Sequence, residues 1–210
     1  MTAVPSRGVL EAYLDEAYRW NRSITLTSVP RSQAWRRHVR ESLGLLDAVP
    51  FHQGACIVDV GSGMGLPGVP LAVVRPDLTV TLLEADRRKA GFLVHVAGLL
   101  GLDNIRVMSV RAETAGHAPD SREYFDSAVS RAAAPPAVLW ELTLPLVRLG
   151  GTVVALVSGD AAQGAETARA CGGAPPQAVA PGILTTTKIS PTPVAYPRRP
   201  GVPRRHRLVR

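Results

Sequence analysis

The sequence is poor in cysteine and in long apolar runs, and each shortage excludes a class of protein. Cys56 and Cys171 are the only cysteines in 210 residues and lie far apart. Neither a disulfide framework nor a metal-binding spacing is present, so we expect apolar thiols in a reducing cytoplasm and no metal site. No window approaches the roughly 18 consecutive apolar residues of a membrane span. Residues 1–11 also lack the apolar core of a secretory signal.

Acidic residues are outnumbered by basic ones, and nearly all of the basic residues are arginine. The chain has 24 Lys and Arg against 17 Asp and Glu, a formal net charge of +7, and its only lysines are Lys89 and Lys188. This balance favours a polyanionic partner, with RNA first among them. A biased composition with a solvated basic tail is the alternative, and composition alone does not choose. Six arginines crowd the last thirteen residues: Arg198, Arg199, Arg204, Arg205, Arg207 and Arg210.

The hydrophobic pattern predicts an α/β fold with a mainly parallel sheet covered on both faces. Amphipathic helices are predicted over 9–20 and 32–48, and strands alternate with helices from residue 55 onward. The strands are predicted at 55–60, 79–84, 105–110, 125–130 and 152–157, with a further candidate at 183–189. The intervening helices are predicted at 67–74, 87–100, 135–147 and 161–170.

This pattern divides the chain into three parts. Residues 1–50 form an N-terminal helical cap, 51–190 a cofactor-binding core, and 191–210 a basic tail rich in proline and arginine. Such a tail has little apolar surface to bury, so we expect it to be extended or mobile when no partner is bound.

A glycine-rich turn after the first predicted strand is the most informative motif. The strand ends in Asp59, and glycines follow at Gly61, Gly63 and Gly65. Leu66 follows directly, so the G-x-G-x-x-G spacing of a dinucleotide site is not made. An acid followed by G-x-G-x-G instead fits S-adenosylmethionine, and it predicts a methyltransferase.

Polar residues also follow the later strands, where an open α/β sheet binds its ligands. Glu84 can accept both ribose hydroxyls, Ala112 and Glu113 can approach the adenine edge, and Arg131 lies where the methyl donor would sit. A single acid at a strand end is usually a solvated loop residue. Four such positions in register with a glycine loop favour a cofactor site.

These motifs, taken together, resemble the bacterial GidB family of 16S rRNA guanine-N7 methyltransferases. The similarity covers about residues 9–205. The matching blocks are Trp20-Asn21, Leu26-Thr27-Ser28, Arg37-His38, Ser42, the loop 59–72 with its Leu-Pro-Gly, Leu82–Glu84, Arg88-Lys89, Phe92-Leu93, Arg111–Glu113, Ser130–Ala132 and 196–203.

The resemblance implies a class I, Rossmann-like methyltransferase with a seven-stranded sheet and an N-terminal helical extension. It also implies that Gly61, Leu66, Ala112, Glu113 and Arg131 contact S-adenosylmethionine. The implied activity is N7-methylation of a guanine in the 530 loop of 16S rRNA, with the 30S subunit as partner.

The chemistry of this reaction needs little from the protein besides positioning. Guanine N7 carries an in-plane lone pair, so no proton is removed and no general base is expected. Arg131 is then the candidate catalytic group, positioning the acceptor by donating to guanine O6 or to a phosphate. Alternatively it is a structural arginine paired with Glu113 or Asp126. His38 is interpreted as a packing or surface histidine rather than a proton-transfer group.

The C-terminal arginines are candidates for RNA binding. Arg198, Arg199, Arg204 and Arg205 would follow the phosphate backbone and supply non-specific affinity. We therefore expect deletion of residues 198–210 to weaken RNA binding and to leave cofactor affinity intact.

One departure from the family pattern keeps other functions open. Val157-Ser158 stands where the family usually has a lysine after the fifth strand. A related methyltransferase with a small-molecule acceptor, or a non-catalytic ribosome-assembly factor, are the alternatives. A dinucleotide oxidoreductase is disfavoured by Leu66.

Overall fold

The computed structural model describes residues 3–131, 133–157 and 164–208. Ala132 and Ser158 of the motifs above, Arg210, and the first residues of the helix predicted at 161–170 lie outside the described residues.

Strands and helices alternate through most of the described chain. The strands are β1 Cys56–Val60, β2 Thr79–Leu83, β3 Ile105–Met108, β4 Phe125–Arg131, β5 Val147–Leu156, β6 Gln177–Ala180 and β7 Ile183–Thr187. The helices are α1 Ala3–Trp20, α2 Arg31–Ala34, α3 Glu41–Ala48, α4 Gly68–Val74, α5 Arg87–Leu99, α6 Ala112–Ala115, α7 Pro136–Thr143, α8 Ala165–Ala170 and α9 Val202–Arg205. A π-helical segment, Trp35–Arg40, joins α2 to α3, and a 3-10 turn, Leu144–Leu146, follows α7.

The predicted α/β fold with a mainly parallel sheet is confirmed. The seven strands are ordered β3-β2-β1-β4-β5-β7-β6, with β1 to β5 parallel and β7 antiparallel to both of its neighbours. Strand β6 was missed, and β5 begins earlier than expected, at Val147 rather than 152. The helix predicted to reach 147 ends at Thr143, before the turn that contains Pro145.

Each face of the sheet has its own apolar core. Ile57 of β1 faces one core, with Leu71 and Phe92, while its neighbour Val58 faces the other, with Trp140. Successive residues of a strand point to opposite faces, so a run of apolar residues predicts a strand buried on both sides. Helices α1 to α5 cover the first face, and α7 and α8 cover the second.

The C-terminal residues are more buried than the sequence predicted. Arg122 donates from Nη2 to the Thr192 carbonyl at 2.6 Å and from Nη1 to the Tyr196 carbonyl at 2.9 Å. His117 Nε2 donates to the Pro197 carbonyl at 2.6 Å, and Pro197 is buried. The composition did not predict this burial, because a segment held by hydrogen bonds to its backbone carbonyls needs little apolar surface. We call residues 191–205 the C-terminal strap.

Candidate active site

The glycine loop leaves β1 at the edge of the sheet where the parallel strands end. Gly61, Gly63 and Gly65 all have positive φ, at 73°, 59° and 96°. Gly61 N–H donates to the Leu83 carbonyl at 2.9 Å, which ties the loop to the end of β2. At Gly61 a Cβ would lie 2.7 Å from the Cβ of Ala133, so both space and backbone conformation require glycine.

A cavity of about 600 Å³ opens beside this loop. Its lining comes from the loop 25–28 with His38, the glycine loop with Leu66, the residues at and after the ends of β2 to β4, and Lys89, Leu142 and Arg204. Of the predicted cofactor residues, seven line it: Gly61, Gly63, Leu66, Glu84, Ala112, Glu113 and Arg131. The other two, Asp59 and Gly65, lie behind this surface.

Glu84 connects the end of β2 to the glycine loop. Its Oε2 accepts a hydrogen bond from Gly63 N–H at 2.8 Å, and its Oε1 accepts one from Asp86 N–H at 2.8 Å. Asp86 in turn caps α5 by accepting from the backbone of Arg88 and Lys89. Each carboxylate oxygen keeps a further lone pair. This carboxylate, at the cavity wall, suits a pair of ribose hydroxyls.

Asp59 supports the loop from beneath rather than lining the cavity. Its side chain is fully buried, Oδ2 accepts from Gly68 N–H at 3.0 Å, and Oδ1 has no partner among the described residues. Burial raises the pKa of Asp59 to about 7. Direct contact of Asp59 with the cofactor stays a prediction.

Glu113 begins α6 beside Ala112 and meets the C-terminal strap. It is buried, and its Oε1 accepts a hydrogen bond from Gly201 N–H at 2.9 Å. The two residues are 88 positions apart, so no local pattern predicts this contact. The strap therefore holds the carboxylate that the sequence assigned to the adenine edge.

Arg131, at the end of β4, pairs with the N-terminal helices. Its Nη2 donates to Glu41 Oε2 at 2.8 Å, so the expected alternative partners, Glu113 and Asp126, are wrong. Asp126 is instead bonded to Arg148 at 2.7 Å. Burial lowers the pKa of Arg131, yet the group stays charged. Its Nη1 is buried and has no partner among the described residues.

His38 is a site residue whose importance the sequence did not reveal. It is buried in the π-helical segment, lines the cavity, and its Nε2 lies 3.1 Å from Thr27 Oγ1. Burial, and then the charge of Arg131, lower the pKa of His38 to about 4. The imidazole is therefore neutral at pH 7. Its position one turn before Ser42, in a block shared with the family, was the available signal.

The four candidate RNA-binding arginines have different surroundings. Arg198 donates from Nε and Nη2 to Glu141 at 2.8 and 2.7 Å, and Glu141 is fully buried. Arg204 lines the cavity and donates to the Ala133 carbonyl at 2.7 Å. Arg199 and Arg205 are exposed. Contact with RNA stays a prediction for all four.

The residues present fit S-adenosylmethionine. The cavity has the volume of a small-molecule site, which is usually 300–1,000 Å³. One part carries two carboxylates, Glu84 and Glu113, suited to hydroxyl and amine donors. Another part carries the cationic side chain of Arg131, suited to a carboxylate.

Comparison with known sequences decides the family. The chain matches the GidB family, described as rRNA small subunit methyltransferase G, over residues 7–171. The chain belongs to this family. Ribosomal RNA small subunit methyltransferase G of Moorella thermoacetica is 37% identical over 215 residues, covering 95% of this chain and 89% of that protein. The protein of the same name from Chloroflexus aggregans is 37% identical, covering 94% and 88%. The prediction of an S-adenosylmethionine-dependent methyltransferase is confirmed.

Solved structures agree on the fold. A mutant of MtNAS in complex with S-adenosylmethionine aligns with a TM-score of 0.56 at 16% identity, covering 88% of this chain and 76% of that one. The antibiotic-resistance methyltransferase Kmr aligns with a TM-score of 0.52 at 16% identity, covering 71% and 93%. At such identity the likeness supports the Rossmann-like architecture and nothing finer.

Within residues 3–131, 133–157 and 164–208, no helix is both long and apolar enough to cross a membrane. The same ranges contain no cluster of three or more His, Cys, Asp or Glu side chains that could hold a metal ion.

Proposed function

We propose that this protein methylates N7 of a guanine in the 530 loop of 16S rRNA, within the 30S subunit, with S-adenosylmethionine as donor. The observation that carries the acceptor class is the charge of the cavity lining. Four cationic side chains line it: Lys89, Arg111, Arg131 and Arg204.

These cations exceed what the cofactor needs. S-adenosylmethionine has one carboxylate against an ammonium and a sulfonium, so it is itself a net cation. A cavity that binds it gains nothing from extra positive charge, whereas the phosphates of an RNA acceptor do. The names of the relatives, and a net charge of +7, support the same acceptor.

The histidine that lines the cavity is a poor base. When bound, the cofactor supplies an electrophilic methyl group, and guanine N7 can attack it without losing a proton. His38 has a pKa of about 4, and Glu84 and Glu113 each accept backbone N–H bonds. Among the described residues no cysteine lines the cavity, so covalent attack on a pyrimidine lacks its nucleophile. A ring nitrogen with a free lone pair suits this lining.

Arg131 is the group that we assign to positioning the acceptor. It is fixed by Glu41 and lines the cavity. A donor beside N7 can bond guanine O6, where adenine presents an amino group instead. The base must be unpaired or flipped out of its stack to reach this position.

The test uses 30S subunits and 16S rRNA lacking the modification, incubated with S-adenosylmethionine labelled in the methyl group. We expect label in 7-methylguanosine within the 530 loop. Cofactor binding without labelled RNA would favour a small-molecule acceptor, in line with the missing lysine at Val157-Ser158. A chain that binds RNA but no cofactor would instead be an assembly factor.

A further inference from the structure

Arg204 differs from the other exposed arginines of the C-terminus because it reaches the active-site cavity. Its Nη2 donates to the Ala133 carbonyl at 2.7 Å, and Ala133 lies against Gly61 of the glycine loop. A guanidinium carries five N–H donors, so one such bond leaves several for a ligand. Arg205, the next residue, is exposed and does not line the cavity.

The strap fixes this position through contacts on the N-terminal side of Arg204. Upstream, Arg198 is bonded twice to the buried carboxylate of Glu141, and Gly201 N–H donates to Glu113. Pro203, directly before Arg204, is buried. The side chain is thus held at one place relative to the cofactor residues, unlike an arginine on a free tail.

Arg204 and Arg131 sit at different depths. The side chain of Arg131 is 15% exposed and is paired with Glu41, whereas Arg204 is an exposed residue at the cavity rim. The deeper cation suits the cofactor's carboxylate or the acceptor base. The outer cation meets a ligand that arrives from solvent.

We infer that Arg204 binds a backbone phosphate of the nucleotide whose base enters the cavity. This inference rests on the proposed function, because it takes the acceptor to be RNA. A base inserted toward the glycine loop leaves its own phosphate at the rim, and the planar guanidinium bonds phosphate oxygens in pairs. The contact then selects the position of one nucleotide, whereas Arg199 and Arg205 supply only diffuse attraction.

The experiment compares Arg204→Ala with Arg205→Ala, two neighbouring exposed arginines that lose the same charge. Binding of a fluorescent 16S rRNA fragment is measured by anisotropy over a range of salt concentrations, and kcat and KM are measured with unmodified 30S subunits. We expect Arg204→Ala to weaken RNA binding about tenfold to a hundredfold and to reduce the salt slope by about 1. Arg205→Ala should change the affinity less than about threefold, and Arg204→Lys should restore part of the loss.

Cofactor binding distinguishes the phosphate from the cofactor's own carboxylate. Calorimetry with S-adenosylhomocysteine, which has the carboxylate, and 5′-methylthioadenosine, which lacks it, should give wild-type affinities for Arg204→Ala. A selective loss for S-adenosylhomocysteine would assign Arg204 to the cofactor and overturn the inference.

Equal losses in the two alanine variants would also overturn it, since the attraction would then be diffuse. Thermal melting of both variants checks that the strap is still in place. If the wild-type chain neither binds nor methylates the RNA, the proposed function fails and this inference fails with it. If the wild type methylates the RNA and Arg204→Ala does so equally well, only the inference fails.

Discussion

The cavity has two walls that the chain builds in different ways. The first, which we call the sheet wall, consists of Gly61, Gly63, Glu84 and Ala112, each within four residues after the end of β1, β2 or β3. The second, which we call the closing wall, consists of Thr27, His38 and Arg204, from the two ends of the chain. Parallel strands bring their ends together automatically, whereas the closing wall depends on contacts between distant residues. The active-site cavity thus has one wall that the sheet topology positions and one that side-chain contacts position.

The largest expected effect comes from breaking the sheet wall at Gly61. A Val side chain there would meet the Cβ of Ala133 at 2.7 Å, on a backbone with φ of 73°. We expect Gly61→Val to lose cofactor binding in calorimetry with S-adenosylhomocysteine, and with it all methyl transfer. Gly91→Val in α5 is the matched control, because a Cβ at Gly91 meets nothing within 4 Å. Wild-type affinity in Gly61→Val would show that the glycine loop does not bind the cofactor.

The same contrast explains how much of the molecule could be predicted from the sequence. Strand, glycine turn and helix leave local patterns, so β1 to β4 and the cavity positions of Gly61 and Glu84 follow from residues near one another in the chain. Local patterns did not show that the side chain of Asp59 is buried beneath the loop, where its contact with the cofactor stays a prediction. Only the alternation of faces along β1 could have signalled this.

The closing wall could not be predicted because the contacts that hold it and its neighbours in place span long distances in sequence. Arg204 itself bonds the Ala133 carbonyl across 71 positions. Arg131 pairs with Glu41 across 90 positions, and Gly201 bonds Glu113 across 88. A family resemblance identifies matching sequence blocks, such as the one around His38, but it does not show which blocks lie in contact in the fold. The strap could not be predicted either. A stretch rich in proline and arginine is typical of an unstructured segment, and no local pattern shows that Arg122 donates to its backbone carbonyls.

The second prediction loosens, at Arg198, the strap that carries Arg204 of the closing wall. Arg198→Ala would leave the fully buried carboxylate of Glu141 without its cation. Breaking a buried pair typically lowers the free energy of unfolding by about 3–5 kcal/mol. We expect a loss of this size in urea titration, and a weaker cofactor affinity because the strap no longer holds Glu113. Loss of the strap should therefore weaken cofactor affinity, whereas the sequence alone predicted that deletion of residues 198–210 leaves this affinity intact.

Two variants sharpen this test. Arg199→Ala removes the neighbouring exposed arginine and should change the unfolding free energy by less than about 0.5 kcal/mol. Glu141→Gln in the Arg198→Ala background removes the buried charge and should recover part of the stability. Equal stability of the two arginine variants would show that the strap does not depend on the buried pair.

The third prediction concerns how the free energy of unfolding depends on pH through His38, a residue of the closing wall. Its pKa is about 4 in the folded protein and about 6.5 in an unfolded chain, so the unfolded state binds the extra proton between these values. Stability from the neutral imidazole is complete above pH 6.5 and is lost as the pH falls toward 4. We expect wild type to lose about 2–3 kcal/mol more than His38→Gln between pH 7 and pH 4 in urea titrations. His206→Gln, at an exposed position, should follow the wild type; an identical pH profile for His38→Gln would contradict the assignment.

The smallest effect on stability, and the most specific one for catalysis, is expected at Glu41. Its carboxylate bonds Arg131 Nη2 at 2.8 Å and Arg37 Nε at 3.0 Å, and it is 40% exposed. Arg131 is only 15% exposed, but Gln keeps an amide oxygen that can accept its Nη2–H, so we expect Glu41→Gln to lower the free energy of unfolding by only about 1 kcal/mol.

The same substitution removes the charge that orients Arg131, so we expect kcat to fall about threefold to tenfold while cofactor affinity is kept. Glu11→Gln is the matched control, because Glu11 is 38% exposed and pairs with Arg31 away from the cavity. Equal kcat in the two variants would mean that the sheet wall alone positions Arg131, and that the N-terminal helices only cover the cavity. A selective loss in Glu41→Gln would show that the closing wall takes part in aligning the acceptor.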